Sequence, residues 1–434
     1  MREKLLSFPL AAAIVVAAAA CASPEPHAEI AFGDALPVSR STSVGTAPMH
    51  AVSANGRQAL AWVSAPDGGT DGRVYLAVDG GTPVELRDTL GPIEPHGEAP
   101  PKIAWSRDGA LHVLYVVSRS VPGRRFPASA LRMQHSRDGG ATWEGPVTVT
   151  DDSTFGSHNF HALHAGGDGA VYVSWLDGRL GTSAVYLTRS TDGGRTFEPN
   201  RAVSQSEACP CCRTALASGA DGSLYIAWRT VMPGSIRDIV VARSMDGGAT
   251  WSEPRRVHAD DWVFEACPHA GPALSVDSTG ALHAAWWTGK EGMAGVYYAR
   301  SADGGETFSK PVPLGVAERS RPAHVQLAMD AGGRTIAAVW DDGTLPVSRI
   351  VVRVSDDGGE TFGAAMPLSA EDRAAGFPVL GLAGDSVVVA WSEQSVEAAE
   401  HAAMSRPNMA DPNSVMPLHA VGNAQVMVRR GALH

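Results

Sequence analysis

An octapeptide that recurs five times along the 434-residue chain restricts the fold more than any other feature of the sequence. It reads Ser-x-Asp-Gly-Gly-x-Thr followed by Trp or Phe, and its copies begin at Ser136, Ser190, Ser244, Ser301 and Ser355. The starts are therefore 54, 54, 57 and 54 residues apart, and AVDGGTP at Ala77 is a weaker copy 59 residues before the first clear one. A period of this length predicts a row of equivalent supersecondary units.

The octapeptide has the composition of a tight turn between two strands. Asp-Gly favours a hairpin because glycine accepts a positive φ at little cost. The Asp carboxylate and the Ser and Thr hydroxyls can hydrogen-bond to nearby backbone groups and so fix the loop. We therefore assign the octapeptide a structural role and no catalytic one.

Strand-like segments that end in an aromatic residue follow the same period. These aromatic residues are Trp62, Tyr115, Trp175, Trp228, Trp286, Trp340 and Trp391. With an inner strand and the strands that enter and leave the octapeptide, each unit contains about four short strands, and four-stranded units repeated radially are the blades of a β-propeller. We predict an all-β propeller of four-stranded blades, with seven blades, and with six as the alternative.

The two ends of the chain predict how the ring closes. FGDALPVS at Phe32 matches FGAAMPLS at Phe362, which is the outer strand of the sixth unit. The N-terminal segment is therefore expected to supply the outer strand of the last unit, at about residues 376–405, and so to remove exposed strand edges. VMPLHA at Val415 competes for the same position.

The first residues have the pattern of an export signal. Arg2 and Lys4 precede the apolar stretch from Leu5 to Ala20, which is too short for a comfortable membrane span, and Cys21 follows directly. This pattern resembles a bacterial lipoprotein signal, in which Cys21 would be lipidated; an ordinary signal peptide is the alternative. The predicted organisation is a lipoprotein signal peptide at 1–21, a flexible tether at 22–31 and a single propeller at 32–434.

These features predict a monomer in the bacterial cell envelope, periplasmic or extracellular, held to the membrane through its N-terminal lipid. The net charge of −11 argues against nucleic acid as a partner, because binding to nucleic acid requires basic groups that neutralise phosphates.

The repeated octapeptide resembles the Asp-box, or BNR repeat, of the sialidase-like superfamily, and the resemblance covers most of residues 60–400. It implies a propeller with a ligand site at the mouth of the central channel. Sialidases of this superfamily use three arginines, a Tyr nucleophile backed by a Glu, and an Asp acid/base. The resemblance therefore gives one functional alternative, an exo-sialidase-type glycoside hydrolase, with Arg213, Arg321 and Asp238 as its candidate catalytic residues.

A second constellation consists of cysteine and histidine. EACPCC at Glu207–Cys212 and EACPHA at Glu265–Ala270 occupy equivalent places in neighbouring units when the units are aligned on their aromatic strands. Each place is the loop that enters the innermost strand, and in a propeller these loops converge at one mouth of the channel. The candidate metal ligands are Cys209, Cys211, Cys212, Cys267, His158, His161, His269 and His324.

Cysteine and histidine together suit soft or borderline ions, and thiolate with an exported location favours copper, with zinc as the alternative. Glu207 and Glu265 are candidates to orient the ligand imidazoles. The hypothesis is therefore a tethered propeller that binds a metal ion or another ligand, either a glycan or a protein, at its mouth.

Disulfides are the competing interpretation of the cysteines, because exported proteins usually form them. A bond between Cys209 and Cys267 would join neighbouring blades, and Cys211 and Cys212 would be a strained pair or free thiols. The protein would then be a non-catalytic interaction scaffold. The sequence leaves metal binding, glycoside hydrolysis and the scaffold open.

Overall fold

The strands of this computed structural model form a seven-bladed β-propeller. It describes residues 28–39, 43–66, 72–93, 97–122, 127–152, 156–179, 181–205, 207–404 and 424–434. Within these residues there are seven antiparallel sheets, and the first strands of successive sheets lie side by side around a ring. The prediction of an all-β propeller with seven blades is confirmed.

The strands follow one another in chain order, blade by blade. The chain opens with β1 (Ile30–Phe32) and β2 (Leu36–Pro37). Blade 1 contains β3 (Ser43–Val52), β4 (Gln58–Pro66), β5 (Arg73–Val78) and β6 (Val84–Leu86). Blade 2 contains β7 (Lys102–Trp105), β8 (Leu111–Arg119), β9 (Ala128–Ser136) and β10 (Glu144–Thr148). Blade 3 contains β11 (His158–Ala165), β12 (Val171–Asp177), β13 (Ala184–Ser190) and β14 (Arg201–Ala202).

The remaining blades repeat this arrangement. Blade 4 contains β15 (Ala215–Ser218), β16 (Leu224–Arg229), β17 (Ile239–Ser244) and β18 (Arg255–Arg256). Blade 5 contains β19 (Ala273–Val276), β20 (Leu282–Thr288), β21 (Ala294–Ser301) and β22 (Val312–Ala317). Blade 6 contains β23 (Gln326–Met329), β24 (Ile336–Asp342), β25 (Arg349–Ser355) and β26 (Met366–Pro367). Blade 7 contains β27 (Arg373–Ala383), β28 (Ser386–Ser395), β29 (Gln425–Leu433) and the two N-terminal strands, and the helix α1 (Val396–Met404) follows β28.

The core lies between the blades. The seven aromatic residues that close the second strands are all buried, and each packs in an apolar cluster shared by two neighbouring blades. Burial of such large side chains is the main apolar contribution to stability. The regular spacing of these aromatic residues in the sequence therefore corresponds to the succession of apolar clusters between the blades.

The Asp-boxes form the turns between the third and fourth strands of blades 2 to 6. In the box that begins at Ser244, the backbone N–H of Gly248 donates to Ser244 Oγ at 2.8 Å. Thr250 donates its backbone N–H to Asp246 Oδ1 at 2.8 Å and its hydroxyl to Asp246 Oδ2 at 2.6 Å. The other four boxes repeat these bonds, which confirms the structural role.

The weak copy at Ala77 occupies the same turn in blade 1, but it is held differently. Asp79 Oδ1 accepts from the backbone N–H of Gln58 at 2.8 Å, and Asp79 Oδ2 accepts from Arg57 Nε at 2.9 Å. This turn is therefore fixed from the neighbouring hairpin rather than by its own threonine.

The ring closes through the two ends of the chain. β1 pairs with β29 through Ile30 and Leu433, and β2 pairs with the same strand through Leu36 and Val428. The N-terminal segment is thus the outer strand of blade 7, as the match at Phe32 predicted. Two bounds differ: β1 begins at Ile30, before the predicted start at 32, and the third strand of the blade is β29 rather than a segment before residue 405.

Several sequence predictions lie outside the described residues. They are the signal peptide with Cys21, most of the tether, and VMPLHA at Val415. In the part of the chain that the structure does describe, no helix has the length and apolar character needed to cross a membrane.

Candidate metal centre

The two Cys-rich loops lie next to each other because they enter adjacent inner strands. The loop with Cys209, Cys211 and Cys212 leads into β15, and the loop with Cys267 and His269 leads into β19. These two strands are neighbours in the ring. Residues that are 58 positions apart in sequence, such as Cys209 and Cys267, therefore belong to one site.

The ligand atoms of this site form two overlapping sets. The sulfurs of Cys209, Cys211 and Cys212 all lie within 4.8 Å of one another, and so do the ligand atoms of Cys211, Cys267 and His269. Cys209 Sγ is 3.7 Å from Cys211 Sγ and 3.4 Å from Cys212 Sγ. All four cysteines are free thiols, so the structure contains none of the disulfides considered above.

These separations fit a thiolate metal site. Tetrahedral coordination with a zinc–sulfur bond of about 2.3 Å places two sulfur ligands about 3.8 Å apart. A disulfide, by contrast, requires the sulfurs to be about 2 Å apart. The distances from Cys209 to Cys211 and Cys212 are therefore close to those of sulfurs that share an ion.

A backbone hydrogen bond, an aromatic contact and two unusual backbone conformations characterise the site. Cys209 donates its backbone N–H to the carbonyl of Arg229 at 2.8 Å. Phe160 packs against the three buried cysteines, and its ring centroid is 6.4 Å from that of His269. Phe160 and His269 both have a φ of 55°, a conformation that side chains other than glycine adopt rarely. Such residues concentrate at binding and catalytic sites.

Two arginines place positive charge beside the sulfurs. Arg237 Nη1 donates to Cys209 Sγ at 3.0 Å. Arg229 is fully buried, and its guanidinium donates to the carbonyls of Ala270 and Trp287, which fixes the end of the second loop.

The thiols differ in acidity because of these contacts. Hydrogen bonds with Cys211 and Cys212, together with the charges of Arg229 and Arg237, lower the pKa of Cys209 well below its usual range. The hydrogen bond that Cys211 gives to Cys209 raises the pKa of Cys211, and burial raises the pKa of Cys212. These contacts therefore favour the thiolate form at Cys209 over Cys211 and Cys212.

Of the four candidate histidine ligands, only His269 lies in this cluster. His158 Nδ1 is instead hydrogen-bonded to Ser129 O at 3.0 Å, and its Nε2 lies 3.0 Å from Asp152 Oδ2. His324 Nδ1 is 2.7 Å from Asp341 Oδ2, and its Nε2 is 3.0 Å from Glu98 Oε1. The expectation that His158 and His324 join the cysteines is wrong: carboxylates hold the ring of His324, and a backbone carbonyl holds that of His158.

His161 is fully buried beside other basic groups. Neither ring nitrogen has a hydrogen-bond partner among the described residues. Burial, with the nearby charges of Lys102 and Arg213, lowers the pKa of His161 to about 3. This histidine is therefore neutral and lies apart from the two ligand sets.

The two glutamates do not act as expected. The side chains of Glu207 and Glu265 are exposed, and within the described residues neither carboxylate bonds to an imidazole. Glu207 contributes through its carbonyl instead, which accepts from the backbone N–H of Val231 at 2.9 Å and from the hydroxyl of Thr230 at 3.0 Å. The charged side chain that does contact a candidate ligand is Arg237, which donates to the sulfur of Cys209.

Two of the candidate catalytic residues have structural partners. Arg321 is exposed and donates to the carbonyls of Pro346 and Leu345, so it braces a loop of blade 6. Asp238 is fully buried and accepts from Arg256 Nη1 at 3.0 Å and from the backbone N–H of Asp261 at 3.1 Å. Both side chains are thus engaged by neighbouring groups of the fold.

Arg213, the third candidate, belongs to a buried polar group in which sequence analysis missed Glu98 and Lys102. We call it the mouth cluster; it comprises Glu98, Lys102, His161, Arg213 and His324. Lys102 and Arg213 are 7% and 6% exposed, and neither side chain donates a hydrogen bond to another described residue. Although burial alone would lower the pKa of His324, the carboxylates of Asp341 and Glu98 raise it to about 10.

Glu98 could have been found by extending the alignment of the units. Ile103 pairs with the residue two before Tyr115, just as Leu216 pairs with the residue two before Trp228. Glu98 precedes Ile103 by five positions, and Cys211 precedes Leu216 by the same number. Glu98 therefore occupies the same position in the loop that enters its blade as Cys211 and His269 do in theirs.

Known proteins share the fold. A family model described as a BNR repeat-like domain matches residues 93–263 and 235–410. No curated protein matches the chain. The polysaccharide lyase Uly1 has a TM-score of 0.55 at 12% identity, covering 92% of this chain and 99% of its own.

Two further solved structures give similar values. An ulvan lyase has a TM-score of 0.52 at 15% identity, covering 84% of this chain and 92% of its own. A protein of unknown function from Dyadobacter fermentans has a TM-score of 0.51 at 15% identity, covering 93% and 99%. These likenesses show the propeller fold, and because the family model spans most of the chain, this protein belongs to the BNR repeat-like domain family and is a sialidase-like β-propeller.

Proposed function

We propose that this propeller binds a soft metal ion, copper(I) in the first place and zinc as the alternative, at the mouth of its channel. The observation that carries the proposal is the convergence of four free cysteines and His269 from two separate loops at the spacing of metal ligands. Buried thiolates suit copper(I) because both partners are soft. The rigid ring would hold the loops at this spacing.

The proposal includes location. The pattern of Arg2, Lys4 and an apolar run before Cys21 supports export and attachment to the membrane by a lipid on Cys21. The protein would then store or pass on metal outside the cytoplasm. Membrane fractions of cells that express the wild type should contain the protein, whereas Cys21→Ser should release it; equal retention of both would contradict the lipid anchor.

The direct test is metal analysis of the protein purified under reducing conditions, with thiol titration of the metal-free form. We expect bound metal, four reactive thiols in protein whose Cys21 carries the lipid, and loss of metal in Cys209→Ser and Cys211→Ser. His258→Ala is the matched control, since His258 lies outside the cluster and contacts Asp260. A metal-free protein with two disulfides would favour the interaction scaffold.

A second candidate function rests on the mouth cluster. The side chains of Lys102 and Arg213 are buried close together, and burial with the charge of Arg213 lowers the pKa of Lys102 well below its usual value although Glu98 lies nearby. Another anionic partner would favour the charged form of Lys102, because buried charges are unfavourable unless a partner neutralises them. A carboxylate of an acidic sugar would supply that partner, which is consistent with a carbohydrate-active enzyme such as the lyases that share the fold.

Activity assays test this candidate. Turnover of a fluorogenic sialoside, or release of unsaturated products from a uronate polysaccharide, should be lost in Lys102→Ala and Arg213→Ala and unchanged in Arg321→Ala. No turnover of either substrate by the wild type would reject the enzyme.

A further inference from the structure

Cys211 occupies a special position among the five ligand residues. The buried set consists of Cys209, Cys211 and Cys212, the outer set consists of Cys211, Cys267 and His269, and Cys211 is the residue common to both. Each set is compact enough to surround one ion. A single tetrahedral ion takes four ligands, so one ion would leave at least one of the five donors without a bond to metal.

We propose that the thiolate of Cys211 bridges two copper(I) ions, one in the buried set and one in the outer set. This inference rests on the proposed function and specifies the number of ions and their ligands. A thiolate has more than one lone pair, so one sulfur can bind two soft ions at once. Binding is ligand association alone: thiols that are still protonated release their protons to solvent as copper–sulfur bonds form, and no electron is transferred.

The charges near the site agree with two monovalent ions. Four thiolates carry four negative charges, and the neighbouring Arg229 and Arg237 supply two positive ones. Two copper(I) ions supply the other two, so the site as a whole becomes neutral, which favours the three thiolates that lie in the low dielectric of the interior. One copper(I) ion would leave a net negative charge. One zinc ion would balance the charge, but it would leave a donor unused.

The two positions differ in access to solvent. Cys209, Cys211 and Cys212 are 0%, 4% and 1% exposed, whereas Cys267 is exposed and His269 is partly so. An ion in the outer set can therefore exchange with a partner or a chelator, while an ion in the buried set is shielded. The pair would consist of one retained ion and one exchangeable ion.

Stoichiometry tests the inference. The full-length protein, reduced and free of metal, is titrated anaerobically with copper(I) against a chromophoric copper(I) chelator of known affinity. We expect two equivalents for the wild type, with the second removed more readily by excess chelator. Cys267→Ser should bind one equivalent, and His258→Ala should bind two. X-ray absorption of the fully loaded wild type should show copper–copper scattering that Cys267→Ser lacks.

The outcomes separate this inference from the proposed function. Saturation of the wild type at one equivalent, with the same value for Cys267→Ser, would overturn the bridged pair and leave metal binding intact. No binding at all would reject both. Two equivalents without copper–copper scattering would overturn the bridge. Since Cys267 is exposed, its replacement by serine should leave the fold unchanged, which circular dichroism verifies.

Discussion

At the residue scale, Arg237 connects the metal centre to the neighbouring blade. Its Nη1 donates to Cys209 Sγ at 3.0 Å, and its Nε donates to the carbonyl of Phe264, which lies just before the second loop. One side chain thus stabilises a thiolate and fixes the distance between the two Cys-rich loops. Groups that contact metal ligands in this way contribute strongly to metal affinity.

Arg237→Gln should weaken copper(I) binding by roughly 10- to 100-fold, the range found when partners of metal ligands are removed. The physical reason is the loss of a positive charge beside Cys209 and of the link to Phe264. Competition with a copper(I) chelator measures the change. Arg255→Gln is the matched control, because Arg255 is an exposed arginine that pairs with Glu306; an equal loss in both variants would contradict a specific role for Arg237.

A second residue-scale feature is the imidazolium of His324 between two buried carboxylates. Asp341 and Glu98 raise the pKa of His324 to about 10, and despite its burial the charge of His324 lowers the pKa of Glu98 to about 2. Removal of one member of a buried ion group leaves the others uncompensated, which costs about 3–5 kcal/mol. The three residues therefore stabilise the fold only while all of them are charged.

His324→Gln should destabilise the protein in a pH-dependent way. The folded pKa of His324 lies above the unfolded value of 6.5, so its contribution is complete below pH 6.5 and disappears as the pH rises through about 10. The contribution of Glu98 is complete above pH 4.5 and is lost toward about pH 2. Urea unfolding should thus show the largest difference from wild type between pH 4.5 and 6.5. A difference that does not vary with pH, or that is matched by His258→Gln, would reject this account.

At the element scale, the Asp-box is a self-contained turn. Ser301 Oγ accepts the backbone N–H of Gly305 at 2.9 Å and donates to Asp303 Oδ1 at 2.7 Å. The Gly305 amide is buried, so the serine satisfies a donor that water does not reach. The same bond recurs in every box, which explains why the serine recurs in the sequence.

Ser301→Ala should lower the free energy of unfolding by about 1–3 kcal/mol, because the Gly305 amide loses its acceptor inside the turn. Urea unfolding followed by circular dichroism measures the change. Ser278→Ala is the control, since Ser278 is exposed in the loop after β19. If both variants unfold at the same urea concentration as the wild type, the buried bond does not stabilise the turn.

The difference between contacts among near neighbours and contacts between distant residues explains which features the sequence could predict. The Asp-boxes and the aromatic strands depend on neighbours within a few residues, so their period revealed the blades and even the closing strand at Phe32. The partners at the channel mouth are distant: Glu98 and His324 are 226 positions apart, and only the ring brings them together. Sequence alignment therefore brought Cys211, Cys267 and His269 together, as they lie in the structure, but could not show that His158 and His324 have other partners.

At the scale of the whole molecule, the ring is closed by strands from both ends of the chain. β29 lies between β28 and the N-terminal strands, so blade 7 is complete only when residues near 30 and near 430 meet. The closure gives blade 7 its outer strand, and this strand packs in the apolar cluster that blades 6 and 7 share. A closed ring should unfold as one cooperative unit, since opening one blade exposes the faces of its two neighbours.

Ile30→Ala tests this closure against Leu36→Ala, a substitution in the same N-terminal segment. Ile30 is 6% exposed and packs in the core between blades 6 and 7, whereas Leu36 is 58% exposed. Loss of the buried side chain should cost about 2–5 kcal/mol, and loss of the exposed one should cost little. Because closure couples all blades, tryptophan fluorescence and far-ultraviolet circular dichroism should report the same lowered midpoint for Ile30→Ala. Two separate transitions, or equal effects of the two substitutions, would mean that the N-terminal strand adds to blade 7 without holding the ring together.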